Sequence, residues 1–210
     1  MSPVATQTNL ARLQTALQSS PFDVLHVSNV TNCQWLSGFS GSSCSVFVSK
    51  SAAVFVTDSR YTIQAEVEVT DMPVRWHQAP KTSEEMWEEV LSSIGARSVG
   101  YEDSQTVARL ARTKDKLPGY EWVKAADYVK PLRMRKTPQE VVKIQAACAL
   151  ADRCLEHVQR MLQVGVSELD VSLDIEFFFS RHGATCSFAP IVASGPNSAR
   201  PHAGVSERKL

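Results

Sequence analysis

Leu10, Leu13 and Leu17 recur at three- and four-residue spacing, which predicts an amphipathic helix over 7–18, ended by Ser19, Ser20 and Pro21. The period then changes. Residues 22–27 form a short apolar run of strand type, and Asn29 or Asn32 can cap a helical turn that carries Trp35 and Leu36. Small residues at 38–43 turn the chain into a hairpin with strands at 44–48 and 53–57 and Lys50-Ser51 at its tip. Beyond Asp58 and Arg60, a helix over 61–69 is expected with Ile63 and Val67 facing inward. A strand at 74–77 leads to a helix over 83–94, capped by Ser83 and closed by Gly95, with Met86, Trp87, Val90, Leu91 and Ile94 on its inner face. A strand at 98–101, a helical piece at 107–112 and an edge strand at 121–124 follow. Strands mixed with helices in this order imply an α/β domain with one mixed sheet, over 1–131.

After Pro131 the pattern changes, and 132–210 read as a second region. Thr137-Pro138-Gln139-Glu140 supplies an N-cap, a proline at the first helical position and a glutamate placed to bond back to the cap. Val141, Ile144, Cys148, Ala151, Leu155, Val158 and Met161 then mark one face of a long helix that ends before Gly165. Ser167 with Asp170 opens another, with Leu169, Leu173 and Phe177 inward and Gly183 as its stop. Ile191, Val192 and Ala193 suit a buried strand, which Gly195 and Pro196 break, and Pro201 fixes the backbone just ahead of His202.

Composition narrows the function classes. Hydrophobic residues make up 43% of the 210 and charged residues 21%, ordinary for a soluble globular protein. Basic and acidic residues balance at 22 each with no Lys/Arg tract, which disfavours nucleic-acid binding. No apolar run reaches the ~20 residues of a membrane span, and residues 1–10 lack a secretion signal, so a cytoplasmic protein is expected. Cys33, Cys44, Cys148, Cys154 and Cys186 are odd in number and lack Cys-x-x-Cys spacing, against both a disulfide framework and a structural zinc site.

Few segments carry chemistry. Gly-Phe-Ser-Gly-Ser at 38–42 lacks the Gly-Lys-Ser/Thr ending of a phosphate loop and the Gly-x-Gly-x-x-Gly of a dinucleotide site, so it reads as a tight turn. Glu168, Asp170, Asp174 and Glu176 scatter around their helix instead of converging; they read as solvated or capping carboxylates near a helix start. His26 and His77 lack acidic or cysteine partners at ligand spacing and read as structural. Asp58 can cap the following helix while Arg60 pairs locally; the functional alternative is that Arg60 reaches a substrate, because a guanidinium matches a peptide carboxylate through paired donors.

Three stretches, taken together, resemble one family. Gly183, Ala184, Ser187 and Phe188, then the strand, Ser194-Gly195-Pro196-Asn197 and Pro201-His202, resemble the start of the catalytic pita-bread domain of the Xaa-Pro peptidases, the aminopeptidase P and prolidase group. Asn32-Cys33-Gln34-Trp35-Leu36-Ser37-Gly38-Phe39-Ser40-Gly41-Ser42 is similar to that group's Asn-x-x-Tyr-Leu-x-Gly-Phe-x-Gly-Ser, with Trp35 in place of Tyr. Thr57-Asp58-Ser59-Arg60-Tyr61 with Gln64-Ala65 is similar to its Thr-Asp-x-Arg-Tyr-x-x-Gln-Ala. The resemblance implies a creatinase/prolidase-type N-terminal α/β domain, followed by the opening portion of a pita-bread α+β domain, two helices, a strand and the Pro-His loop.

It also implies an activity: hydrolysis of Xaa-Pro bonds by a hydroxide bridging two divalent ions (Mn, Zn or Co), in a homodimer acting on proline-containing peptides. By the same resemblance His202 is the catalytic loop histidine; Arg60 and Phe188 are the candidate substrate-binding residues. The family's five metal ligands, Asp, Asp, His, Glu and Glu, lie on strands that follow the Pro-His loop. None is assignable in this chain, which reads as truncated ahead of them. Residues 137–210 alone are expected to expose apolar surface. The alternatives are a non-catalytic binding or dimerisation protein with a pita-bread-related fold, or an inactive fragment. A third is a metal-free hydrolase like creatinase.

Overall fold

The computed structural model describes residues 7–125 and 127–210; the first six residues of the stretch read for a secretion signal lie outside them. The chain divides at Arg135 and Lys136 into two compact units.

The first unit opens with α1 (Asn9–Leu17), whose Leu13 and Leu17 are buried and whose first turn is capped by the Thr8 hydroxyl. It continues through β1 (Val24–Val27), α2 (Val30–Ser37), β2 (Ser45–Ser49), β3 (Ala53–Asp58) and a 3-10 turn at Ser59–Tyr61. Then come α3 (Thr62–Glu68), β4 (Val74–His77), α4 (Ser83–Ile94), β5 (Ser98–Tyr101), α5 (Val107–Lys116), β6 (Glu121–Lys124) and α6 (Lys130–Met134), a helix that runs through residue 131.

Six strands form one mixed sheet in the order β4-β3-β2-β1-β5-β6. The hairpin partner β2 runs against β1 and β3, and the other pairings are parallel. Both faces are covered, so the strands bury every second side chain in opposite directions. Along β2, Val46 and Val48 enter one apolar cluster with Leu13, Phe39 and Phe55, while Phe47 enters the other with Trp87, Leu91 and Val99.

The fold corrects three local expectations. Ile63 and Val67 are 78% and 73% exposed, and Ala65 is the buried residue of α3. Gln64 and Glu68, one turn apart, are held on Ser40, which turns the Ala65 side into the core; at 100° per residue Ile63 then lies about 200° away. The cap of α4 is Thr82 and not Ser83, closed reciprocally by Glu85. And α5 runs to Lys116, beyond 112, with Lys114 and Lys116 in the last turn where they complement the helix dipole.

The second unit is α7 (Pro138–Met161) and α8 (Glu168–Arg181), followed by extended chain and a 3-10 turn at Gly195–Ala199. Both helices start with the expected reciprocal caps, Thr137 with Glu140 and Ser167 with Asp170. Their apolar faces differ from the expected ones. In α7 the buried line is Cys154 and Val158, whereas Val141, Ile144 and Leu155 are exposed; in α8 Val171 is buried and Leu173 and Phe177 are exposed. The helices meet through Cys154, Val158 and Val171, with Ile175, Phe178, Phe179, Val192 and Leu210 around them. Periodicity marked a stripe wider than what this contact covers. Residues 191–193 are not a strand: a strand exists through hydrogen bonds to a neighbour, and among the described residues none pairs with them. The paired extended segment is instead the chain end, with Ser167 bridged to Lys209 and Leu210 N–H donating to Val166 O at 2.8 Å.

Candidate functional site

The loop from Ser194 to His202 is built as a run of turns. Asn197 N–H donates to Ser194 O, Arg200 N–H to Asn197 O, and Ala203 N–H to Arg200 O, at 3.0, 3.0 and 3.1 Å. Gly195 sits at φ +47°, a backbone conformation that favours glycine, with the Arg208 guanidinium lying over the position a Cβ would take. The Arg200 guanidinium donates to the Asn197 side-chain oxygen. His202 is exposed at the last turn, next to buried Ala203.

Beneath this loop lies Glu168, the first residue of α8, with none of its surface exposed. Its Oε1 accepts from Ser194 N at 2.7 Å and Ser194 Oγ at 2.9 Å; its Oε2 accepts from Ser206 Oγ at 2.6 Å; the Asn197 amide donates to both oxygens, at 3.2 and 3.1 Å. The Ser206 hydroxyl, then the Ser194 N–H and hydroxyl and the Asn197 amide, pull the carboxyl down to about 2, against the opposing effect of desolvation. The expectation that this side chain is solvated or capping is overturned. Asp170 does cap; Glu168 is a buried acceptor in a cage of donors. The sequence offered only a faint signal, the polar Ser194, Asn197 and Ser206 within thirteen residues, and polar side chains of that kind can pair with one another or with water as readily as with an acid.

Phe188 is 74% exposed and lines an open cleft of about 520 Å³ with Leu173, Glu176, Phe177, Ala184 and Cys186. His202 is not among the residues lining it.

Arg60 belongs to the first unit, where the two family-like stretches interlock. Gly41 lets the chain pass against the Phe39 and Tyr61 rings; a Cβ there would lie 2.8 Å from Tyr61 Cε1. The Tyr61 hydroxyl meets Ser42 Oγ at 2.9 Å, and Thr57 Oγ donates to Ser43 O at 2.7 Å. Arg60 grips Asp58 with two bonds, Nε to Oδ1 at 2.9 Å and Nη2 to Oδ2 at 2.8 Å, yet its side chain is 71% exposed. That guanidinium holds the Asp58 carboxyl far below the usual range. Asn32, at the start of the first of these stretches, joins two other parts of the unit: its amide donates to Glu102 Oε1 at 2.6 Å and its oxygen accepts from Arg133 at 2.8 Å.

His26 is fully buried, stacked on Phe47 at 4.6 Å, with Nε2 3.1 Å from Ser45 Oγ and Nδ1 3.2 Å from the Gln105 amide. Burial, reinforced by the Arg109 charge, lowers it to about 3, so it is neutral at physiological pH. Among the described residues no group of three His, Cys, Asp or Glu side chains is arranged to hold a metal ion, so the residues described do not fit the dinuclear centre.

Comparison with known proteins adds two family matches, the Creatinase/Prolidase N-terminal domain over residues 9–135 and metallopeptidase family M24 over 142–210. The chain is similar to the peptidase YqhT of Bacillus subtilis, 31% identical over 203 residues, covering 96% of this chain and 57% of that one. It is similar to the Xaa-Pro dipeptidase of Pyrococcus furiosus, 26% identical over 204 residues, covering 96% and 56%. Among solved structures, the Xaa-Pro dipeptidase from Bacillus anthracis superposes with a TM-score of 0.87 at 30% identity, covering 96% of this chain and 57% of that one. The chain thus spans just over half the length of these relatives.

Proposed function

We propose, since the chain belongs to the Creatinase/Prolidase N-terminal domain family and continues into a metallopeptidase family M24 segment, that the protein hydrolyses peptide bonds on the amino side of proline. The observation that carries this is likeness to Xaa-Pro dipeptidases along both segments, over 96% of the chain. The domain assignment that goes with it is 1–131 as the N-terminal domain and 132–210 as the opening of the catalytic one.

Three residues of this chain act on the substrate in this reading. His202, exposed on a loop held rigidly from below, donates a hydrogen bond to the oxygen of the scissile carbonyl as negative charge develops there. Phe188 packs against the proline ring or the residue beside it, as an exposed aromatic on an apolar cleft can. Arg60 offers the donors not committed to Asp58 to a peptide carboxylate, in a homodimer where a second copy brings it to the substrate. The two divalent ions of such an enzyme (Mn, Zn or Co) would supply the activated water, while these three side chains serve the substrate alone.

The test is cleavage of Xaa-Pro and Xaa-Ala dipeptides, and of longer Xaa-Pro peptides, by the full-length protein loaded with each metal in turn. Selective cleavage ahead of proline is expected; no cleavage under any metal overturns the reading. His202→Ala should lower kcat by roughly 10²-fold with metal content unchanged, the size of losing one oxyanion donor; unchanged kinetics remove His202 from the site. A sedimenting monomer at micromolar concentration sinks the homodimer.

A further inference from the structure

Glu168 does more than fill a cavity under the loop. Its two oxygens accept only, and each neighbour turns a proton towards them: a backbone N–H, two hydroxyls and an amide NH₂, drawn from positions 194, 197 and 206. The anchor is itself fixed, because Glu168 N–H donates to Arg208 O at 3.0 Å and Leu169 N–H to Ser206 O at 3.1 Å. From Asn197 the bonds continue through Arg200 to Ala203, whose burial pins the residue next to His202. A continuous path of hydrogen bonds therefore runs from a buried carboxylate to the turn that presents the imidazole.

We propose that Glu168 is the positioning residue of this loop, holding the 194–197 turn through its buried carboxylate and so fixing the direction from which His202 meets a substrate. The inference rests on the role proposed for His202 in Xaa-Pro cleavage. Glu168 does not touch the reacting atoms; it acts by orientation, where a displacement of about 1 Å can cost roughly 10²-fold in rate. An isosteric amide cannot replace it, since the Asn197 NH₂ donates to both oxygens and the NH₂ of glutamine would face it on either side.

The experiment is to compare Glu168→Gln, Glu168→Asp and the milder Ser206→Ala in the full-length protein. Two readouts are needed: kcat and KM on an Xaa-Pro dipeptide, and hydrogen exchange by mass spectrometry, with peptides from 7–125 as internal control. Glu168→Gln should lower kcat roughly 10- to 10²-fold with KM within about twofold, and speed exchange at 194–203 alone. Glu168→Asp, which keeps the charge, and Ser206→Ala should fall between it and the parent. Unchanged exchange at 194–203 in Glu168→Gln overturns the proposal; so does faster exchange spread over all of α7 and α8, which makes Glu168 a general scaffold. Parental kcat in Glu168→Gln overturns it as well. If the parent protein cleaves no Xaa-Pro substrate, the activity reading falls, and the exchange comparison still decides whether Glu168 positions the loop.

Discussion

The helices of the second unit carry apolar patterns as regular as those of the first, yet the two units use them differently. In the first, a sheet covered on both faces absorbs nearly every apolar position the pattern marks: Phe47, Phe55, Trp87 and Leu91 are buried to within 2%. In the second, Cys154, Val158 and Val171 are the buried apolar contacts between α7 and α8, while Ile144, Leu155, Phe177 and Phe188 stay exposed. Order in the second unit comes instead from polar atoms. Glu168 gathers three donor residues as Glu102 does in the first unit, where Oε2 accepts from Ser28 N and Asn29 N, both at 2.7 Å, and Oε1 takes Asn32. A period predicts which side chains share a face; it does not say whether anything packs on that face.

The contrast is sharpest in the effect of removing an aromatic ring. Phe47→Ala should cost about 3–5 kcal/mol in urea unfolding, because the ring leaves a closed core under His26. A loss below about 1 kcal/mol would mean the first unit is not packed as described. Gly41→Ala should cost about 1–3 kcal/mol by forcing a methyl against the Phe39 and Tyr61 rings, which tests the interlocking of the two family-like stretches.

A third test uses acid. Well above pH 6.5 His26 is neutral whether the chain is folded or not, and contributes no pH dependence. Between 6.5 and about 3 the unfolded chain takes up a proton that the folded one refuses, so stability falls with pH by up to about 1.4 kcal/mol per pH unit. His26→Asn should lose that component while retaining the slope due to carboxylates; parallel curves for the two proteins would refute it. The smallest effect belongs to Phe177→Ser, at 61% exposure: its unfolding midpoint should move by less than about 0.5 kcal/mol equivalent. A loss comparable to Phe47→Ala would erase the difference between the units.

Much of this was legible in the sequence because it is local. Caps such as Thr137 with Glu140 and Ser167 with Asp170 depend on residues three apart, and the hairpin on a run of alternating residues around Lys50 and Ser51. Leu13 and Leu17 needed only helical spacing, and Gly95 only its tolerance of positive φ. The pairing of Arg60 with Asp58, two residues away, was within reach for the same reason.

Tertiary structure alone decided the rest. Whether Ile63 or Ala65 turns inward followed from where Gln64 and Glu68 found Ser40, 24 and 28 residues away. Whether 191–193 form a strand depends on a partner strand that their own residues do not encode. And nothing in the spacing of Glu168, Asp170, Asp174 and Glu176 marks the first as different, because its donors lie 26, 29 and 38 residues further on. The sequence by itself determined helices, turns and family, which rest on short-range pattern; burial and the satisfaction of buried polar groups rest on contacts that only the folded chain brings together.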